Sequence, residues 1–316
     1  MRSNLLPFLM FGILLAALLA RPLMRLRWIS LPVALVIAGF VASEAWVAAG
    51  LDTGLRWQIL SDLVFYLLLP ILIFEAAITI DTRWLVRDGV LIGALSVPLL
   101  VVAIGVAALS FNGLMGESLG HSLTLASLVG VMVCATDPAM ISGVVCERRG
   151  ARRALRILEG ESLINDATVI AAFVTLSSLL IVPGAEISGL GVLGEFLLVL
   201  LGGAVVGVVL GWLLDRVIAP ANDKVLSTSA TLVLAFSSFW ISEHLLGVSG
   251  VVATLAAGLT IAWRQRKHRS ESDIAFALDT WKFMGFCPNA MLFFVVAGCT
   301  AVFLVASRGR LEPDER

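Results

Sequence analysis

The chain has 316 residues, of which 59% are hydrophobic and 14% charged, with a formal net charge of −1. A soluble domain is about a quarter charged and half apolar, so an ordinary soluble enzyme is excluded. Long apolar runs recur along nearly the whole length, and they are continuous rather than alternating. That excludes a β-barrel and leaves an all-α polytopic membrane protein.

The first apolar run, 5–20, is followed by Arg21, Arg25 and Arg27. Such a cluster resists translocation, so the run reads as a membrane helix rather than a cleaved signal. Further helices are expected at 29–50, 59–80, 90–111, 122–146, 161–182, 190–218, 225–246, 248–263 and 281–306, ten in all. A polar tail covers 307–316. Helix nine follows helix eight almost at once, which demands a tight turn. Basic residues concentrate on alternate connections: 17 of the 22 fall on the odd-numbered ones. The positive-inside rule therefore puts those connections in the cytoplasm and the N-terminus outside, in the inner (plasma) membrane.

The seventh helix carries Gly203, Gly207 and Gly211, one small residue per four positions, which lets another backbone approach closely. Cys134, Cys146, Cys287 and Cys299 lack paired-ligand spacing and read as small packing residues. Gly247-Val248-Ser249-Gly250 has the form of an intramembrane protease nucleophile. It is discounted because the only later histidine, His268, lies in a polar connection.

Chemistry concentrates between Cys134 and Ala167. A charge at the bilayer centre costs about 2.5–3.5 kcal/mol, so polar groups here call for a pathway to serve. Pro138 lacks an amide hydrogen and disfavours helix at Asp137, which predicts a broken fifth helix near Thr136–Pro138. Freed backbone groups, the Thr136 hydroxyl and the Asp137 carboxylate would meet there. In the sixth helix Glu161 and Asn165 share a face, with Ser162 and Asp166 on its shoulder. A desolvated carboxylate can hold a proton or a metal cation but not comfortably both, and that competition is enough for exchange. Glu75, in the third helix, needs a partner, either the ion site or a basic side chain.

Four stretches carry a family resemblance: Leu69–Asp81, Ala135–Pro138, Leu158–Ala167 with Leu-Glu-Gly-Glu-Ser-Leu-Ile-Asn-Asp-Ala, and Val248–Leu259. In order and spacing the chain resembles the monovalent cation:proton antiporters of the NhaP-like type, the branch that includes the animal Na⁺/H⁺ exchangers. The resemblance implies an inverted-repeat fold in a homodimer, with a first repeat over 1–182 and a partial second over 190–306. It implies a Na⁺ (or K⁺, Li⁺)/H⁺ antiporter, a transporter and not an enzyme, with Asp166 as shared carrier and Asn165 its helper. Thr136 and Asp137 would shape the site, with Ser162 and Glu75 as further ligands and Glu161 and Pro138 structural. Asn165, where electrogenic relatives have a second Asp, implies electroneutral exchange. The expected partners are the cation, the proton and the bilayer, with no cofactor and no nucleic acid. Relatives continue for three more helices and supply a buried Arg opposite the glutamate at 161. The polar tail thus reads as an early stop, and the alternative is a truncated, non-transporting remnant or dimer partner.

Overall fold

The computed structural model describes residues 31–48, 57–115, 123–136, 152–181, 189–218 and 223–308, with a few positions between 10 and 18. Every regular element among them is helical. In chain order these are α1 (Leu31–Ala48), α2 (57–79), α3 (Thr82–Arg87), α4 (Gly89–Met115), α5 (Leu123–Cys134) and α6 (Arg152–Ile181). They continue with α7 (Gly189–Ile218), α8 (Lys224–Leu246), α9 (Gly250–His268) and α10 (Glu271–Arg308). Among the described residues, five helices are long and apolar enough to cross a bilayer: α2, α4, α7, α8 and α10. Helices α6 and α9 are long, but their polar residues keep them out of that set. Those residues serve the polar cluster and the basic end described below. The predicted first helix lies mainly outside the described residues.

Among the described residues, three helices contain a π-helical turn. In α2 it spans Leu63–Leu68, just before Pro70, and in α4 it spans Leu95–Leu99 and contains Pro98. A proline removes one amide donor and crowds the preceding turn, which widening relieves. The third, Ile241–Leu246, ends α8 at Gly247, whose φ of +63° is a left-handed conformation that glycine adopts without a Cβ penalty. The tight turn expected between helices eight and nine is this one. Ser249 caps α9, its Oγ accepting from the Val252 amide at 3.3 Å, and Glu243 accepts from the Gly250 amide at 2.9 Å. The protease-like serine is thus a helix cap.

The chain forms two compact units, Ile73–Trp281 and Met1–Leu72 with Lys282–Arg316. In the latter, Leu35 and Ala290 are buried together beside Phe286 and Phe293. A Cβ at Gly39 would fall 2.1 Å from the Phe294 carbonyl oxygen, so α1 and α10 meet there backbone to backbone.

The larger unit is built on the α7–α9 contact. Cβ atoms placed at Gly203, Gly207 and Gly211 would lie 2.5, 2.1 and 3.0 Å from the carbonyl oxygens of Ser249, Ala253 and Ala257. The glycine stripe therefore has its partner, a matching stripe of small residues four apart on α9. On another face of α9, Gly258 abuts Ala77 and Phe74 of α2. Trp281 is fully buried, its indole donating to the Thr231 hydroxyl at 2.9 Å and its ring 4.6 Å from that of Phe74.

The basic connections gather at one end of this unit. Arg153 donates to Asp88 at 2.7 Å, a bond that raises the guanidinium pKa above its ordinary value. Arg156 lies 3.9 Å over the Trp84 ring. Arg266 pairs with Asp81 and donates to the Ile80 carbonyl at 2.9 Å. Arg264 pairs with Asp215, and Arg269 reaches Ser227 at 2.6 Å and the Ile218 carbonyl at 3.1 Å. Four odd-numbered connections thus share one end, as the charge count requires. Asp215 is 4% exposed, so replacing it leaves Arg264 with an uncompensated, largely buried charge. Asp215→Asn is expected to cost about 3 kcal/mol, the low end for breaking a buried pair. Replacing both partners by Leu and Met should restore most of it, as thermal unfolding in detergent would read.

Two helices begin earlier than their hydropathy predicts: α6 at Arg152 rather than 161, and α10 at Glu271 rather than 281. Helical hydrogen bonding continues past the apolar boundary into the basic layer. The 30 residues of α6 span about 45 Å at 1.5 Å per residue, and Asp166 is the fifteenth of them, at the midpoint.

Candidate ion site

The site is made where the end of α5 meets the middle of α6. Helix α5 stops at Cys134, and Ala135 and Thr136 are non-helical, next to the predicted break at Thr136–Pro138. Asp137 and Pro138 themselves lie outside the described residues. Two residues of α6, three positions apart, grip Thr136. The Ser162 hydroxyl donates to the Thr136 carbonyl at 2.9 Å, and the Asn165 amide donates to the Thr136 hydroxyl at 2.7 Å. A carbonyl released from helical bonding thus gains a donor, as backbone buried in an apolar setting requires.

Glu161 completes the cluster. Its carboxylate accepts from the Asn165 amide at 3.3 Å and from the Thr136 hydroxyl at 3.3 and 3.5 Å. No cation pairs with it among the described residues; its partners there are the amide and hydroxyl dipoles. Asn165 is 1% exposed and Ser162 5%, whereas Asp166 is solvent-accessible. The Asn165 Oδ1 atom is buried without a hydrogen-bond partner among the described residues. It is an acceptor oxygen beside an accessible carboxylate, the donor chemistry of a hard cation site.

The predicted residues Thr136, Glu161, Ser162 and Asn165 are thus joined by hydrogen bonds, and Asp166 adjoins them in sequence on α6. Glu75 is half-buried on α2, where its backbone carbonyl accepts from Thr79 at 2.8 Å. Sequence reasoning missed Ser96. This buried serine in the π turn of α4 donates to the Ile92 carbonyl at 2.8 Å and to the Glu161 carbonyl at 3.1 Å. The only signal was its place two residues before Pro98. The described residues contain no cluster of three His, Cys, Asp or Glu side chains.

Membrane-length helices and a hydroxyl–amide–carboxylate cluster where α5 ends define a multi-pass membrane protein with a polar site inside an apolar bundle. The transmembrane sodium/hydrogen exchanger family matches residues 10–309, and the chain belongs to it. It is 29% identical over 270 residues to the Na⁺/H⁺ antiporter NhaS2 of Synechocystis sp., covering 85% of this chain and 47% of that protein. Against the Na⁺/H⁺ antiporter ApNhaP of Aphanothece halophytica, identity is 31% over 261 residues, covering 79% of this chain and 47% of the relative. The fold is similar to that of the sodium proton antiporter MjNhaP1 of Methanocaldococcus jannaschii at pH 8. That match has a TM-score of 0.73 at 19% identity, covering 93% of this chain and 70% of the other. The chain spans about half the length of the curated relatives it matches.

Proposed function

We propose that the protein exchanges a monovalent cation, Na⁺ or K⁺ or Li⁺, for a proton by alternating access, with Asp166 as the shared carrier. The observation that carries this reading is the Thr136–Glu161–Asn165–Ser162 cluster beside an accessible carboxylate halfway along α6. Asp166 and the Asn165 Oδ1 supply cation ligands, and the Ser162 hydroxyl, whose proton is committed to Thr136, keeps its lone pairs. Protonating Asp166 removes the charge that holds the cation, so each ion displaces the other. Asn165 adds no second charge, so one cation leaves per proton bound and the cycle is electroneutral. Asp137 and Glu75 are proposed as further ligands. The proposed setting is the inner (plasma) membrane, as a homodimer with an inverted-repeat fold of ten or more spans, the N-terminus outside and the basic end cytoplasmic.

The test uses inside-out vesicles from cells lacking their own antiporters, carrying this chain or its Asp166→Ala variant. A respiration-generated proton gradient is challenged with NaCl, LiCl or KCl. Cation-triggered collapse of the gradient is expected with the parent chain and absent with Asp166→Ala. No collapse despite good membrane expression, or an unchanged response in the variant, would overturn the proposal.

A further inference from the structure

We propose that a cleft between α3, α7 and α9, remote from the ion cluster in sequence, binds one anionic phospholipid. The cleft has a volume of about 590 Å³, and its deeper wall is apolar, with Val208, Val209, Ala256 and Leu259. Its mouth carries Trp212 and Trp263, each about two-fifths exposed. Tryptophans at that depth mark the bilayer–water interface, and about eight residues of α7, or about 12 Å, separate Arg216 from Val208. The wall thus runs from interfacial and charged to wholly apolar over the depth of a glycerol backbone and upper acyl chain.

Three features give the mouth a preference for a phosphate-bearing headgroup. The Arg216 guanidinium lies 4.6 Å from the Trp212 ring centre, and the Lys267 ammonium 3.6 Å from that of Trp263. Both cations are held in place by an aromatic face, and neither pairs with a carboxylate among the described residues. Arg216 and Lys267 adjoin the cleft through the lining Trp212 and Trp263, whereas Arg264, which lines it directly, is neutralised by Asp215 and contributes little net field. Thr82 lines the same cleft, is 3% exposed, and its hydroxyl has no hydrogen-bond partner among the described residues. A buried hydroxyl left unpaired costs free energy that a phosphodiester oxygen would recover. Two unpaired cations, one orphaned donor and an apolar slot below them match an anionic phospholipid better than a zwitterionic one, whose own ammonium would meet Arg216 and Lys267.

Native mass spectrometry of the purified full chain, with equimolar phosphatidylglycerol and phosphatidylcholine of identical tails, tests the site. Phosphatidylglycerol should be retained at least about tenfold better, given the attraction of two nearby cations for an anionic lipid. The Arg216→Gln/Lys267→Gln pair should bring the two lipids to parity, because both side chains are exposed and their loss leaves the core intact. Thr82→Val, close to isosteric, should weaken phosphatidylglycerol retention, because its phosphodiester loses a donor. Arg83→Gln, an exposed cation outside the cleft, should change nothing. Equal retention of the two lipids by the parent chain would overturn the proposal. So would an equal loss of preference in Arg83→Gln, since bulk surface charge would then explain it.

Discussion

Gly207→Ala is expected to destabilise the protein by about 3 kcal/mol, the upper end for inserting atoms into a packed contact. The added Cβ would sit 2.1 Å from the Ala253 carbonyl oxygen and 2.8 and 2.9 Å from that residue's backbone carbons. No rotamer change relieves a clash with backbone, so α7 and α9 must separate along their whole interface. Valine at the same position should leave little folded protein. Gly194→Ala is the control on the same helix: nothing lies within 4 Å of its Cβ, and alanine there should be neutral or stabilising by up to about 1 kcal/mol. Thermal unfolding in detergent of the two alanine variants side by side decides the matter. Equal melting temperatures would mean that the glycine stripe is not what holds these helices together.

The sequence made one side of that contact visible and hid the other. Three glycines at four-residue spacing stand out, whereas Ala253 and Ala257 are lost among the many alanines of an apolar helix. Helix existence was legible in the described part except at the six-residue α3, because membrane-length apolar runs admit one backbone solution and a short helix in a connection leaves no such run. The starts of α6 and α10 were not, because the reading followed hydropathy and both helices extend into the charged layer. Around the site, helical spacing was enough to group Glu161, Ser162 and Asn165. Proline chemistry was enough to place an interruption beside Thr136. The partners of Glu161 were not legible, since bringing residue 136 to residues 161–165 is a tertiary event that no local pattern encodes. The cleft was invisible for the same reason: it is assembled from α3, α7 and α9, the first more than a hundred residues before the other two.

Asn165→Ala is expected to cost about 2 kcal/mol and to abolish exchange even with Asp166 intact. Asn165 is one of three ties between α6 and the non-helical stretch at Thr136: its amide donates to the hydroxyl, Ser162 donates to the carbonyl, and the Glu161 carboxylate accepts from the hydroxyl. A hydrogen bond between membrane helices contributes only about 0.6 kcal/mol on average, so Ser162→Ala alone should be mild. Asn165→Ala is worse because it also strips a donor from the half-buried Glu161 carboxylate, and orphaning a buried polar group costs about 1–3 kcal/mol. With the Ser162 and Asn165 donors both removed, residues 135–136 keep only the long Thr136–Glu161 bond to α6, so the double variant should lose more stability than the sum of the two single losses. A double-mutant cycle on thermal stability measures that excess, expected at about 1 kcal/mol for residues sharing one network. Strict additivity would mean that Ser162 and Asn165 act on Thr136 independently. The interruption after α5 would then be held in place by something other than the grip of α6.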